Sequence, residues 1–430
     1  MRAVFDLKSS PELVYILIVF GLFVVPRVVQ RFRLPSAITC VALGSMLGMG
    51  THVFHTDSTV LLMATLGIVA MFLFAGLEVD AGELREHGPI IVQHVVIQLV
   101  GLGVAMFATQ AAFDLSARPS MLVALALLTP STGFILDSLA SLSNSEKERF
   151  WIKSKAIATE IVALFILFLT LQSTTWTLLL TSTLVILLMI ALLPKAFRLF
   201  AERVLPHAPR TEFAFLVILA LGCAFVTRAL GVYYLVGAFL VGMTAQRFRK
   251  ELPALGSDKL LYALELFASF FIPFYFFKAG LHLDPENFSF EAFWIALWFL
   301  AIAMPLRVLL VVLHRRVMIK EPLEDSVRIS TLMLPTLVFT IVLAEILRDR
   351  YDIAPQLFGA LIVYTLVNTV VPGFALKLPP PEFNTPSIPR SPDPHGAGPA
   401  SPHAERNRQA GGGRQHDVFA PGRSSGTGQG

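Results

Sequence analysis

Apolar stretches of about 20 residues, repeated from Leu13 to Leu376 with only short polar interruptions, constrain this chain more than any other feature. A helix of that length crosses the roughly 30 Å hydrocarbon core of a bilayer. Within hydrocarbon only helices and closed barrels satisfy every backbone N–H and C=O. We count about thirteen such segments, at 13–29, 36–54, 59–79, 89–113, 119–140, 151–171, 176–200, 211–230, 232–249, 259–281, 290–316, 326–348 and 355–376. The expected fold class is therefore all-α, a polytopic membrane protein with about 13 transmembrane helices. A composition of 55% hydrophobic and 15% charged residues over 430 residues lies far from that of a soluble domain. The first segment follows Asp6 and Glu12 and lacks a small-residue cleavage signature, so it reads as a retained helix.

The distribution of basic residues gives an orientation. Loops after odd-numbered segments hold twenty Lys and Arg, whereas those after even-numbered segments hold four: Arg118, Arg228, Arg348 and Arg350. Cytoplasmic loops carry the excess of positive charge, which places the N-terminus outside and the C-terminus in the cytoplasm. The net charge of +4 is thus accounted for by topology, with no nucleic-acid partner implied. Cys40 and Cys223 lie inside apolar segments without metal-ligand spacing.

Two pairs of landmarks recur at one offset. FLFAGLEVD at 72–80 ends the third segment and FFKAGLHLD at 276–284 ends the tenth; Pro130 and Pro335 interrupt the fifth and the twelfth. Both separations are about 204 or 205 positions, and each matches an odd segment to an even one. That is the pattern of inverted-topology repeats in secondary transporters. The expected organisation is a transmembrane domain over 1–376, with repeat one at about 12–171, a linker helix at about 176–200 and repeat two at about 211–376. Beyond it, residues 377–430 are rich in Pro, Gly, Ser, His and Arg, and are expected to form a disordered cytoplasmic tail.

Chemistry concentrates at three places of similar depth. Glu160 stands about nine residues into WIKSKAIATEIVALFILFLTL, or about 14 Å deep. A carboxylate there costs about 2.5 to 3.5 kcal/mol on insertion scales, so an acid in this position usually faces a wet cavity and handles ions or protons. A proton and a metal cation would compete for that one group; the plainer alternative is a structural pair with Lys155. Thr159 adds a neutral oxygen. In Thr129-Pro130-Ser131-Thr132-Gly133 the proline removes a backbone donor and the glycine relaxes the helix. Freed carbonyls and the Thr129, Ser131 and Thr132 oxygens suit a hard cation, although an ordinary proline kink would read the same way. Pro335 and Thr336 break the matching segment of the second repeat.

Lys278 and Arg307 are candidate charge partners. Lys278 could pair with a buried acid or snorkel to the interface, whereas Arg307 needs a carboxylate or carbonyl partner. Asp80, Asp284, Glu265 and Glu345 read as caps or helix-end residues. No HExxH, GxSxG or P-loop occurs, so no enzyme is expected, nor any cofactor.

These features together resemble the bacterial monovalent cation:proton antiporters of the sodium/hydrogen exchanger superfamily, in the branch with Kef-type and Nap-type members. The resemblance covers about residues 11–376. It is carried by LPSAITCVALGSMLGMG at 34–50, FLFAGLEVDAGELREHG at 72–88, the TPSTG break, the Thr159-Glu160 helix, LGVYYLVGAFLVGM at 230–243 and IPFYFFKAGLHLD at 272–284. It implies a core domain with two crossed discontinuous helices, a dimerisation domain, a homodimer and elevator-like alternating access. By position, Glu160 matches the ion-binding carboxylate, and Thr129, Pro130, Ser131 and Thr132 match the first broken helix. Electrogenic members carry an Asp-Asp pair where this chain has Thr159-Glu160. Met304 stands where a basic residue is expected in the eleventh helix.

The function expected is exchange of Na+ or K+ for H+ across the inner (plasma) membrane, with Glu160 as the shared carrier. Two alternatives are a degenerate transporter acting as a membrane sensor or scaffold, and a sodium-coupled organic-anion symporter.

Overall fold

The computed structural model describes residues 11–32, 34–51, 54–135, 146–249 and 257–377, and among these every regular element is helical. In chain order the helices are α1 (Pro11–Gln30), α2 (Ser36–Thr51), α3 (Ser58–Leu77), α4 (Ala81–Glu86), α5 (Gly88–Phe113), α6 (Ala117–Leu128), α7 (Glu146–Gln172), α8 (Trp176–Leu199), α9 (Glu212–Ala229), α10 (Tyr234–Phe248), α11 (Asp258–Leu281), α12 (Phe290–His314), α13 (Leu323–Leu332), α14 (Leu337–Tyr351) and α15 (Pro355–Ala375). Side chains close several N-termini by accepting orphan N–H groups. Asp57 caps α3 through Val60 at 2.9 Å, and Ser289 caps α12 through Ala292 at 3.2 Å. Pro89 and Pro355 open α5 and α15, where a missing N–H costs nothing.

Each of the thirteen expected segments contains helix. Among the described residues nine helices are long and apolar enough to cross a membrane, and α13 with α14, bent by 50° at their junction, make up to ten. The segments expected at 36–54, 119–140 and 232–249 form helices of 16, 12 and 15 residues. The second of these is short for a physical reason: α6 stops where Pro130 removes a backbone donor, and helix resumes only at residues 132–135, the last described before 146. The division at Gly231 holds. Its φ of +76° is a left-handed turn that glycine adopts without strain, between the end of α9 and the start of α10. Of the tail, all but Lys377 lies outside the described residues.

The helices gather into two bundles. One holds α1, α2, α3, α9, α10 and α11, and the other α5, α6, α7, α12, α13, α14 and α15. Helix α8 follows α7 and packs on α10, linking the two. The first bundle is drawn together by glycines. A Cβ on Gly76 would collide with Phe239 O and one on Gly242 with Leu73 O, so α3 and α10 cross backbone to backbone. Gly44 and Gly280 do the same for α2 and α11. Such close approach is how helices gain contact in a solvent as apolar as their own side chains. Around the outside, large apolar side chains such as Phe20, Phe107, Leu184, Ile218 and Trp298 remain exposed, as on a surface that lipid covers.

Candidate functional site

The two interrupted helices meet in the second bundle, and the contact is made by backbone. Thr129 is extended, with φ −83° and ψ 121°, which turns the chain out of α6. Two residues on, the Ser131 N–H donates to Pro335 O at 2.8 Å, joining one break directly to the other. Unwinding leaves carbonyls that need partners inside a membrane. On α6, Ala126 O accepts from the Thr340 hydroxyl at 2.6 Å and Leu127 O accepts from the Tyr364 hydroxyl at 2.7 Å. At the end of α13, the fully buried Arg307 donates to Met333 O at 2.7 Å and to Leu334 O. A cation at the C-terminal end of a half-helix also opposes the negative end of its dipole. The carbonyls flanking the two breaks, at Ala126, Leu127, Met333, Leu334 and Pro335, are thus taken up by the protein's own donors.

What remains open is a set of side-chain oxygens. Glu160 is 3% exposed, and its carboxyl lies beside Thr132. Even so, Glu160 Oε2 and the hydroxyls of Thr129 and Thr132 are buried without a well-formed hydrogen bond. Buried polar atoms are nearly always partnered, and unpartnered ones call for an explanation such as an unseen ion or water. One carboxylate oxygen and two hydroxyls in and beside one break form a cluster of hard donors. Burying the carboxylate charge alone would cost several kcal/mol, so the group requires a proton or a cation upon it.

The other residues singled out from sequence are placed as follows. Ser131 is buried in the break and holds it through its backbone; Pro130 and Pro335 lie at the two interruptions, while Gly133 comes close to Met71 of the first bundle. Thr159 is buried, but its hydroxyl donates to Lys155 O at 2.9 Å and bonds His94 Nε2 at 3.1 Å, so that oxygen is spent on α5 and α7. Lys155 bonds His314 Nδ1 at 2.8 Å rather than Glu160, which removes the plain ion-pair reading of the acid. Of the two candidate charge partners, Arg307 reaches a break, whereas Lys278 pairs with Glu345 at 2.7 Å.

Sequence reasoning missed what surrounds the second break. Thr336 bonds Thr365 at 2.9 Å and accepts from Asn368 Nδ2 at 2.9 Å, while its N–H reaches Asn368 Oδ1 at 3.4 Å. The polar groups that meet Thr336 at this break come from α15. Thr365, Asn368 and Thr369, at helical spacing on one face of an apolar segment, were the signal.

Comparisons with known proteins agree with one another. The family model described as sodium/hydrogen exchanger, transmembrane, matches residues 16–379. A probable Na(+)/H(+) antiporter 3 of Methanocaldococcus jannaschii is 23% identical over 378 residues, covering 85% of this chain and 95% of that protein. A Na(+)/H(+) antiporter of Enterococcus hirae is 25% identical over 278 residues, covering 60% and 70%, and cation/H(+) antiporter 18 of Arabidopsis thaliana is 25% identical over 397 residues, covering 81% and 46%. Among solved structures, the sodium proton antiporter MjNhaP1 of M. jannaschii superposes with a TM-score of 0.60 at 14% identity, over 84% of this chain and 94% of that one.

Proposed function

Since this chain belongs to the sodium/hydrogen exchanger family, and so is a multi-pass membrane antiporter that exchanges a cation for protons, we propose that Glu160 is the group on which the two ions alternate. The observation that carries this is the unpartnered Glu160 Oε2 beside the unpartnered Thr129 and Thr132 hydroxyls. The transported cation is monovalent, Na+ or K+, and is held by those oxygens. With a proton the same carboxyl is neutral and needs no further ligand. Because one carboxylate takes one positive charge of either kind, exchange is one for one and electrically silent. Resident cofactors are not required, and the chain is a transporter rather than an enzyme.

The setting proposed is the inner (plasma) membrane, with the N-terminus outside and the C-terminus in the cytoplasm. Two features support inverted repeats. The paired landmarks recur at one offset, and the Gly44–Gly280 and Gly76–Gly242 crossings interchange when the second and third expected segments are exchanged with the ninth and tenth. A homodimer and movement of one bundle against the other follow the family resemblance. The sensor and symporter readings are not favoured. Arg307, the cation at the break, is buried and already donates to two carbonyls of the chain itself.

Proton movement in everted vesicles on addition of Na+, K+ or Li+ tests the reading. The wild type should dissipate an imposed pH gradient with at least one of the three, and Glu160→Gln with none. Equal rates from the two proteins would remove Glu160 from the mechanism.

A further inference from the structure

The two bundles are joined by a polar seam at the face where α11 and α14 end and α10 begins. Glu345 lies on α14, in the bundle that carries the interrupted helices, and is 3% exposed. Both of its oxygens are held from the other bundle. Lys278 Nζ of α11 lies 2.7 Å from Oε1, and the hydroxyl of Tyr233, the residue before α10, donates to Oε2 at 3.1 Å. Two further bonds follow the same line: Arg348 Nη1 to His282 O at 3.2 Å and Arg350 Nη2 to Gly231 O at 2.7 Å. At the opposite face, where α3 ends, the bundles meet through Lys153 and Glu78 at 2.7 Å. That pair is much more exposed, at 28% and 43% for the two side chains, and exposed pairs contribute about 1 kcal/mol or less.

We propose that the Lys278–Glu345–Tyr233 cluster, built around the buried Glu345 carboxylate and part-buried Lys278 and Tyr233, is a latch that holds the two bundles together at the α11-end face and so keeps the Glu160 site closed on that side. This rests on the reading of the chain as an alternating-access exchanger, whose two sides must open in turn. A buried ion pair is stable only while each partner is compensated, and separating the partners without water leaves two bare charges in a poor dielectric. The seam is therefore bistable. It is either closed with all three groups engaged, or open with the pair hydrated. Glu345 sits on one bundle and Lys278 and Tyr233 on the other, so the bonds of the cluster run between bundles. Its effect falls on their relative position. In the orientation proposed above this is the outer face, and the latched state is the one in which the site communicates with the cytoplasm.

A cross-linking experiment on the full chain tests the latch. In a Cys40→Ser, Cys223→Ser background, His282→Cys and Arg348→Cys place two thiols on opposite sides of the seam, beside the cluster. A short bifunctional thiol reagent should link them efficiently and reduce cation–proton exchange at least tenfold, with full recovery when a cleavable reagent is reduced. Adding Lys278→Met with Glu345→Gln should lower the yield of the link several-fold, and the reversed pair Lys278→Glu with Glu345→Lys should restore it. An unchanged yield in the Met/Gln variant, or linked protein that exchanges at the unlinked rate, overturns the latch. If the Met/Gln variant is not recovered in folded form, the exchange rate of the linked protein decides alone. Failure of the carrier reading is seen separately, as undiminished exchange by Glu160→Gln in the unlinked protein.

Discussion

At Glu160, in the mechanism proposed above, the cost of enclosing a charge is the source of coupling. A carboxyl among apolar helices, with one oxygen unpartnered, is unstable as a bare anion, so the empty charged state is scarcely populated. The groups around it then decide which ions can fill it. Replacing Thr132 by Val removes a hydroxyl from beside the carboxyl. An oxygen ligand lost from a cation is comparable to a lost hydrogen bond to a charged group, about 1.5 to 3 kcal/mol, so the half-saturating cation concentration should rise about tenfold or more in a flux assay. Thr159→Val should behave differently, because that hydroxyl serves Lys155 O and His94. It should shift half-saturation less than about twofold and cost roughly 1 kcal/mol of stability, seen in thermal unfolding. The position of the acid at depth in an apolar helix was legible in the sequence, and the structure buries it. The engagement of the Thr159 hydroxyl by Lys155 O and His94 was not. Adjacent residues on a helix point about 100° apart, and only packing shows which neighbour each one meets.

The interrupted helices show how backbone disorder is made tolerable in a membrane. Every freed carbonyl named above is bonded by Thr340, Tyr364, Arg307 or the opposite break, and none is left to lipid. Arg307→Met should therefore unbind two carbonyls at once and destabilise the protein by roughly 2 to 4 kcal/mol, measured as a lowered unfolding temperature in detergent. Arg307→Lys, which retains the charge but not the fork of donors, should recover part of that loss. Pro130 and Pro335 announced both breaks, because proline's missing donor is a property of one residue. The partners were hidden, because Lys278 and Glu345 lie 67 positions apart and Arg307 and Met333 lie 26 apart. Spacing within a segment carries no information about which distant segment packs against it. Thr365 and Asn368 fell between these cases, visible as a polar face but without a reason to choose the second break as its target.

On the scale of the whole molecule, the two bundles are built differently. The first bundle is drawn together by reciprocal glycine crossings, and the second carries Glu160 and the two breaks. Gly76→Leu should prevent α3 from meeting α10, giving little monodisperse protein on size exclusion, whereas Gly21→Leu, with open space around it, should be recovered like the wild type. Hydropathy located the segments well because each must satisfy its own backbone. Among the described residues three of those segments hold helices of only 12 to 16 residues, since breaks and short helices borrow partners from neighbours that a window of sequence does not contain. The central claim is that one carboxyl group takes either a proton or a cation, never both. Cation uptake into proteoliposomes, measured against cation concentration across a series of pH values, tests it most directly. On the acidic limb the half-saturating concentration should rise about tenfold for each unit of acidification while the maximal rate stays constant, as competition for a single site requires. A half-saturating concentration that does not change with pH would contradict the account.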